Sequence, residues 1–212
     1  MMMSSPRTAV CVFVFLCLFV SECKGADEGY PPAETCSRLE CPPYKVIQTQ
    51  KEFEIRSYDQ ALWLASPKIP AATYKEGASK GFRILFSYYR GNNTERVTIN
   101  MTALVLIDVL NSTYTVHFYV PKKYQTGTSL PTPLPTDQIT KVTLPKFKYV
   151  AVRRFDGLIN DGTIAPAIAA LRQSLQGTPY QQAAAAAQFT VAGYNSPRRL
   201  TNRVNEVWLG FN

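Results

Sequence analysis

Thr73 to Arg90, TYKEGASKGFRILFSYYR, is the stretch whose reading decides the fold. Ala78, Phe82, Leu85, Phe86 and Tyr89 recur at the spacings of one helical face, while Lys75, Glu76, Lys80, Arg83 and Arg90 fall mostly elsewhere. The spacing predicts an amphipathic helix that stops near Gly91, a residue able to take the left-handed cap. On both sides the pattern belongs to strands. Upstream, Tyr44 to Gln48, Phe53 to Tyr58 and Ala61 to Ala65 read as strands; in the second, Phe53, Ile55 and Ser57 alternate with Glu54, Arg56 and Tyr58. Downstream, Val97 to Val109 and Thr113 to Val120 are β-rich, and Pro121 stops the second run.

Beyond the proline-rich loop Leu130 to Pro135 (LPTPLP) the same order restarts. Ile139 to Leu144 and Lys148 to Phe155 are strand-like. Asp161 is the candidate cap of a second helix, whose stripe is Ile164, Ile168, Leu171 and Leu175 before Gly177, with Pro166 tolerable only in the first turn. Ala183 to Ala187 is a short helical or loop segment, and Phe189 to Tyr194 and Val204 to Phe211 are closing strands. Two halves that each run strands, amphipathic helix, strands predict an α+β domain with an internal pseudo-repeat. A twisted antiparallel sheet or barrel would carry two amphipathic helices.

The chain has 212 residues, 46% hydrophobic and 18% charged, enough for one such domain. Ala9 to Val20 is an apolar block, preceded by Arg7 and followed by the small polar run Ser21 to Gly25. That block is too short to span a bilayer of about 30 Å as a helix but suits a signal peptide over residues 1–25. The expected mature chain is soluble, without stable membrane insertion, and travels the secretory route to the vacuole or the extracellular space (apoplast). Removing Arg7, Lys24 and Glu22 would leave 21 basic residues against 14 acidic. Such a surplus attracts anions, yet the basic residues cluster only in pairs, so nucleic acid is not an expected partner. An anionic small ligand fits better.

Cys36 and Cys41 would be the only cysteines left, and an oxidising compartment predicts a disulfide between them. Two cysteines and one histidine cannot supply the usual structural zinc ligands, so no metal site is expected. Sequons at Asn92, Asn100 and Asn111 are glycosylation candidates consistent with secretion. Residues 26–43, with Pro31, Pro32, Pro42 and Pro43, read as an extended arm, and residues 44–212 as the domain.

No G-x-S-x-G elbow, Walker loop, GxGxxG or HExxH occurs, so a binding protein is favoured over an enzyme. His117, the only histidine, is either a heme axial ligand or general base, or a surface or strand-edge histidine; the second reading is the more economical. Glu52 and Glu54 read as solvated hairpin carboxylates. The aromatic face Phe82, Phe86 and Tyr89 with Arg83, and the basic segment Arg198, Arg199 and Arg203, match a planar apolar ring bearing carboxylates. The same stripe would serve equally well as core.

Several segments together resemble the SOUL heme-binding protein family. They are Phe53-Glu54-Ile55-Arg56-Ser57-Tyr58 with Trp63; Gly81-Phe82 with Leu85-Phe86-Ser87-Tyr88; Phe118-Tyr119-Val120-Pro121; Val152-Arg153-Arg154-Phe155-Asp156-Gly157; and Ala192-Gly193-Tyr194-Asn195-Ser196-Pro197 with Asn205-Glu206-Val207-Trp208-Leu209. The resemblance covers about residues 43–212, and the Cys36 to Cys41 arm is similar to that of secreted plant members. It implies a distorted antiparallel β-barrel with two helices, and binding of heme or another tetrapyrrole as ligand, with no catalytic cofactor and no reaction. Carried over, the ring contacts fall on Phe82 and Phe86 and the propionate partner on Arg199, with Arg198 beside it. Ser79 and Ser87 stand where family members carry basic residues, and Ala103-Leu104 lacks the proline of the family's Met-Thr-x-Pro motif. Those departures leave open the alternative of a protein-interaction or stress-associated module on the same fold, its partner unspecified.

Overall fold

A computed structural model describes residues 29–126, 128–196 and 198–212; the expected signal peptide lies outside the described residues. Ten strands occur in chain order: β1 Tyr44–Thr49, β2 Glu54–Tyr58, β3 Ala61–Ala65, β4 Ile69–Pro70, β5 Val105–Leu110, β6 Thr113–Tyr119, β7 Thr140–Leu144, β8 Tyr149–Phe155, β9 Phe189–Gly193 and β10 Asn205–Phe211. Helix α1, Tyr74–Tyr89, lies between β4 and β5, and α2, Asp161–Ser174, between β8 and β9. All strands belong to one sheet in the order β1-β2-β8-β10-β9-β5-β6-β3-β7, with β4 on β6. Every pairing is antiparallel. The sheet curls without closing, a distorted half-barrel.

The pairing carries the pseudo-repeat. β5 pairs with β9 at the centre, and around that pair β3·β6 corresponds to β8·β10 and β3·β7 to β2·β8. Strand alternation splits the interior in two. Ile55, Leu64, Val116, Phe118, Val191 and Val207 face the helices and meet Leu85, Tyr88, Ile168 and Leu171. Tyr58, Trp63, Leu106, Val152, Ala192 and Trp208 face the inside of the curl, where Ala33 of the arm also packs.

Helix α1 begins and ends where its residues require. The Thr73 hydroxyl accepts from the Glu76 backbone N–H, and Gly91 takes φ +98° after the last turn. Gly77 and Gly81 let the helix touch β6: a Cβ at Gly77 would stand 2.2 Å from the Tyr114 ring, and one at Gly81 2.5 Å from Val116 Cγ2. The second helix departs from the expected cap. Asn160, not Asp161, caps it through a reciprocal pair of bonds with Thr163. The Asp161 carboxylate instead accepts from the Tyr74 N–H, joining the starts of both helices, and Pro166 sits in the second turn rather than the first.

The expected strand from Val97 to Val109 is shorter, because its first part spends its backbone elsewhere. Ile99 N–H donates to Tyr89 O at the end of α1, and Ala103 N–H to Glu40 O of the arm, so only Val105–Leu110 joins the ladder. Of the expected Ala183–Ala187 segment only Ala183–Ala185 is helical, in a short 3-10 turn, Gln181–Ala185. The arm is pinned by the Cys36–Cys41 disulfide, with Cα atoms 5.6 Å apart.

Candidate functional site

Four polar or aromatic clusters lie on this frame. On the outward surface of α1 the Phe82 and Phe86 rings stack, with centroids 5.4 Å apart and planes 17° from parallel. Phe82 leans edge-on against Phe118 at 5.2 Å, while Phe86 is 41% exposed. Arg83 is exposed one turn before Ser87, which is exposed as well, and makes no ion pair among the described residues. Tyr89 is not part of this open wall. It is buried against the other side of Phe118, and its hydroxyl donates to Tyr119 O, so it supports the pair from beneath. Burial pushes its phenol well above the ordinary range.

The basic segment lies in the β9–β10 connection. Arg198 is exposed. Arg199 is held by the arm: Nη2 is 2.9 Å from Glu34 Oε2, and Nε donates to Thr201 O. The Arg199 guanidinium keeps the Glu34 carboxyl below the usual range. Arg203 turns inward to donate to Ser196 O and Arg199 O; burial, then the Arg199 charge, lowers its pKa, and its charge is felt at Tyr74. The loop thus approaches the N-terminal end of α1, whereas Phe82 and Phe86 lie further along. No hydrogen bond or ion pair among the described residues joins the loop to Arg83.

Inside the curl a charge network replaces the solvated carboxylates expected of the β1–β2 hairpin. Glu54 is fully buried, 2.7 Å from Arg56 Nε, and also accepts from Tyr30 N. Arg56 reaches Glu206 at 3.1 Å, and Glu206 also accepts from Arg154, Tyr194 and Trp208. Burial alone would lower the Arg56 pKa, but Glu206 together with Tyr58, Tyr194 and Tyr44 outweighs it and the net shift is upward. Only Glu52 is exposed, beside Arg153.

His117 is likewise neither on the surface nor at an edge. It is 5% exposed on β6, between β5 and β3, with Nε2 3.2 Å from Asp108 Oδ2. Asp108 Oδ1 accepts from Thr190 Oγ1 at 2.6 Å. Burial would raise the Asp108 pKa, but these hydrogen bonds win and hold it below the usual carboxylate range. An ionised carboxylate only accepts, so Nε2 carries a proton. His117 and Phe118 alternate across β6, so the imidazole faces away from α1 and cannot ligate iron in a ring lying on that helix. The sequence reading did not find Asp108, Arg56 or Glu206; a charged residue inside a strand whose neighbours alternate was the available signal.

The curled antiparallel sheet with two helices packed on one face is the distorted half-barrel of an α+β domain. The family model for the SOUL heme-binding protein domain matches residues 39–210, and the chain belongs to that family. It is 32% identical over 198 residues to human Heme-binding protein 2, covering 86% of this chain and 91% of that one. The mouse Heme-binding protein 2 is 29% identical over 196 residues, with the same coverage. The solved structure of SAV2435 bound to tetraphenylphosphonium overlaps at a TM-score of 0.40 and 14% identity, covering 76% of this chain and 94% of that one, too distant to bear on function.

Proposed function

We propose that this protein binds heme or a related tetrapyrrole, without a chemical step, on the outward face of α1. The observation that carries the reading is the stacked Phe82–Phe86 pair, Phe86 open to solvent, on the helix of a heme-binding family, with the cation Arg83 beside it, in no ion pair among the described residues. A porphyrin ring covering Phe86 removes apolar area from water, the main driving force for such a ligand. Its propionates reach Arg83 and, where the loop is released from Glu34, Arg198 and Arg199. Iron ligation by His117 is not part of the reading. The names of the human and mouse relatives support the ligand class.

The same proposal places the protein in the secretory pathway, in the vacuole or outside the cell. The apolar block Ala9 to Val20 supports that route, as do the Cys36–Cys41 bridge and the exposure of Asn92, Asn100 and Asn111. Hemin titration followed by Soret absorbance tests the binding. Saturable one-to-one binding, weakened about tenfold by Phe86→Ala, is expected, since about 1.4 kcal/mol of lost ring contact corresponds to that factor. Hemin binding indifferent to Phe82→Ala, Phe86→Ala and Arg83→Ala would refute the site and favour an interaction module, for which the serines at 79 and 87 already speak.

A further inference from the structure

The inside of the curl holds a cavity of about 660 Å³, on the face of the sheet opposite α1. That volume is in the range of small-molecule sites, about 300–1,000 Å³. Its deepest wall is apolar and well ordered by packing: Trp63, Leu106, Val150 and Trp208 are each at most 5% exposed. Both tryptophans of the sequence are therefore in it. At the rim the Phe147 ring lies on the bare backbone of Gly210, where a Cβ would come within 2.1 Å of the ring. The glycine lets an aromatic side chain close down on the cavity edge.

Around that wall the lining is polar, and three of its charged groups are placed to meet a ligand. Asp108 is fixed by Thr190 and His117, which use one lone pair on each oxygen, yet its side chain stays 26% exposed. It can still accept one more hydrogen bond from a molecule in the cavity. Lys68 and Lys146 also line it, both exposed and neither in an ion pair among the described residues. The charge of Lys146 is felt at Asp108, so the two groups are near neighbours. The charged lining is balanced, Lys68 and Lys146 against Asp59 and Asp108, but Asp108 is largely taken up by Thr190 and His117, so the exposed charges are the two lysines and Asp59, in a chain of net charge +8.

We propose that this inner cavity is a second ligand site, separate from the tetrapyrrole face, for an aromatic acid. Its ligand has a flat apolar body for the tryptophan wall, one N–H or O–H donor for Asp108, and one anionic group for Lys68 and Lys146. A cation of the same size meets two ammonium groups that Asp59 and Asp108 only partly offset. A purely apolar molecule gains nothing from the remaining Asp108 lone pairs or from either lysine and binds less well.

Anilinonaphthalene sulfonate carries all three features and serves as the probe. Titration of the protein is expected to show saturable, one-to-one fluorescence enhancement with energy transfer from Trp63 and Trp208. Lys68→Glu/Lys146→Glu should weaken it at least tenfold, Asp108→Asn several-fold, and Leu106→Trp, which fills the cavity, should abolish it. Phe82→Ala/Phe86→Ala should leave it unchanged, and the lysine pair should leave hemin affinity unchanged, so failure here is distinguishable from failure of the tetrapyrrole reading. Each variant is checked for parental cooperative melting, because loosened cores bind this dye indiscriminately. The lysine variant alters only exposed side chains and keeps the test valid if Leu106→Trp does not fold. Non-saturating binding, binding indifferent to the lysines, or competitive displacement by hemin would overturn the proposal.

Discussion

Arg199 Nη2 stands 2.9 Å from Glu34 Oε2, so a carboxylate of the N-terminal arm holds the arginine that the family resemblance offers to a propionate. The arm and an anionic ligand then compete for one guanidinium. Glu34→Gln should raise hemin affinity by about two- to threefold, a small effect because the carboxylate is exposed and its pairing is screened by solvent. Unchanged affinity in isothermal titration would mean that Arg199 takes no part in the binding.

The Glu54–Arg56–Glu206 network should dominate single-site stability. Arg56→Met leaves Glu54 without its guanidinium and Glu206 with Arg154 as its one remaining cation among the described residues, both carboxylates fully buried. Breaking a buried pair from one side costs about 3–5 kcal/mol. For a domain of this size that is a fall of roughly 10 °C in melting temperature, which calorimetry would show.

Gly81→Ala tests the contact between α1 and β6. Alanine gains up to about 1 kcal/mol of helix propensity. Against that, its Cβ would sit 2.5 Å from Val116 Cγ2 and 3.0 Å from Val116 Cβ, on a β-branched side chain fixed in a central strand. Overpacking of about 1–3 kcal/mol outweighs the gain, and a lower denaturation midpoint is expected. A midpoint raised by the substitution would show that the helix is free to move outward.

Asp108 gives acid sensitivity of known sign. Its folded pKa is depressed below the ordinary 3.8, so it contributes stability above that pH and loses it as pH falls through the lower folded value. Thr190→Val and Asp108→Asn should each flatten the stability curve below about pH 4, measured by urea denaturation across pH. A curve identical to that of the parent would remove the Asp108–Thr190 bond from the account.

The two periods in the sequence carried most of the fold. Phe82, Leu85 and Phe86 lie on α1 at the expected spacing, and the repeat of strands, helix and strands reappears as the pairing of β5 with β9. What stayed hidden was the polar interior. Glu54 looks solvated in a hairpin, and nothing in the strand pattern marks Arg56 and Glu206 as buried, because burial of a charge depends on partners as far as 150 residues away, as for Arg56 and Glu206. His117 was misplaced for the same reason, since Asp108 is its neighbour only across the β5–β6 ladder. Tyr89 shares the helical period with Phe86, but one face of a helix has a buried middle and an open margin, and only packing separates them.

Amide and indole shift mapping of the labelled protein with metal-free protoporphyrin tests the central claim most directly. The account predicts shifts at Phe82, Arg83 and Phe86 on α1, with Arg198 and Arg199, and none at the Trp63 and Trp208 indole N–H groups on the other side of the sheet. Shifts confined to those indoles and their neighbours, or none anywhere at saturating porphyrin, would contradict it.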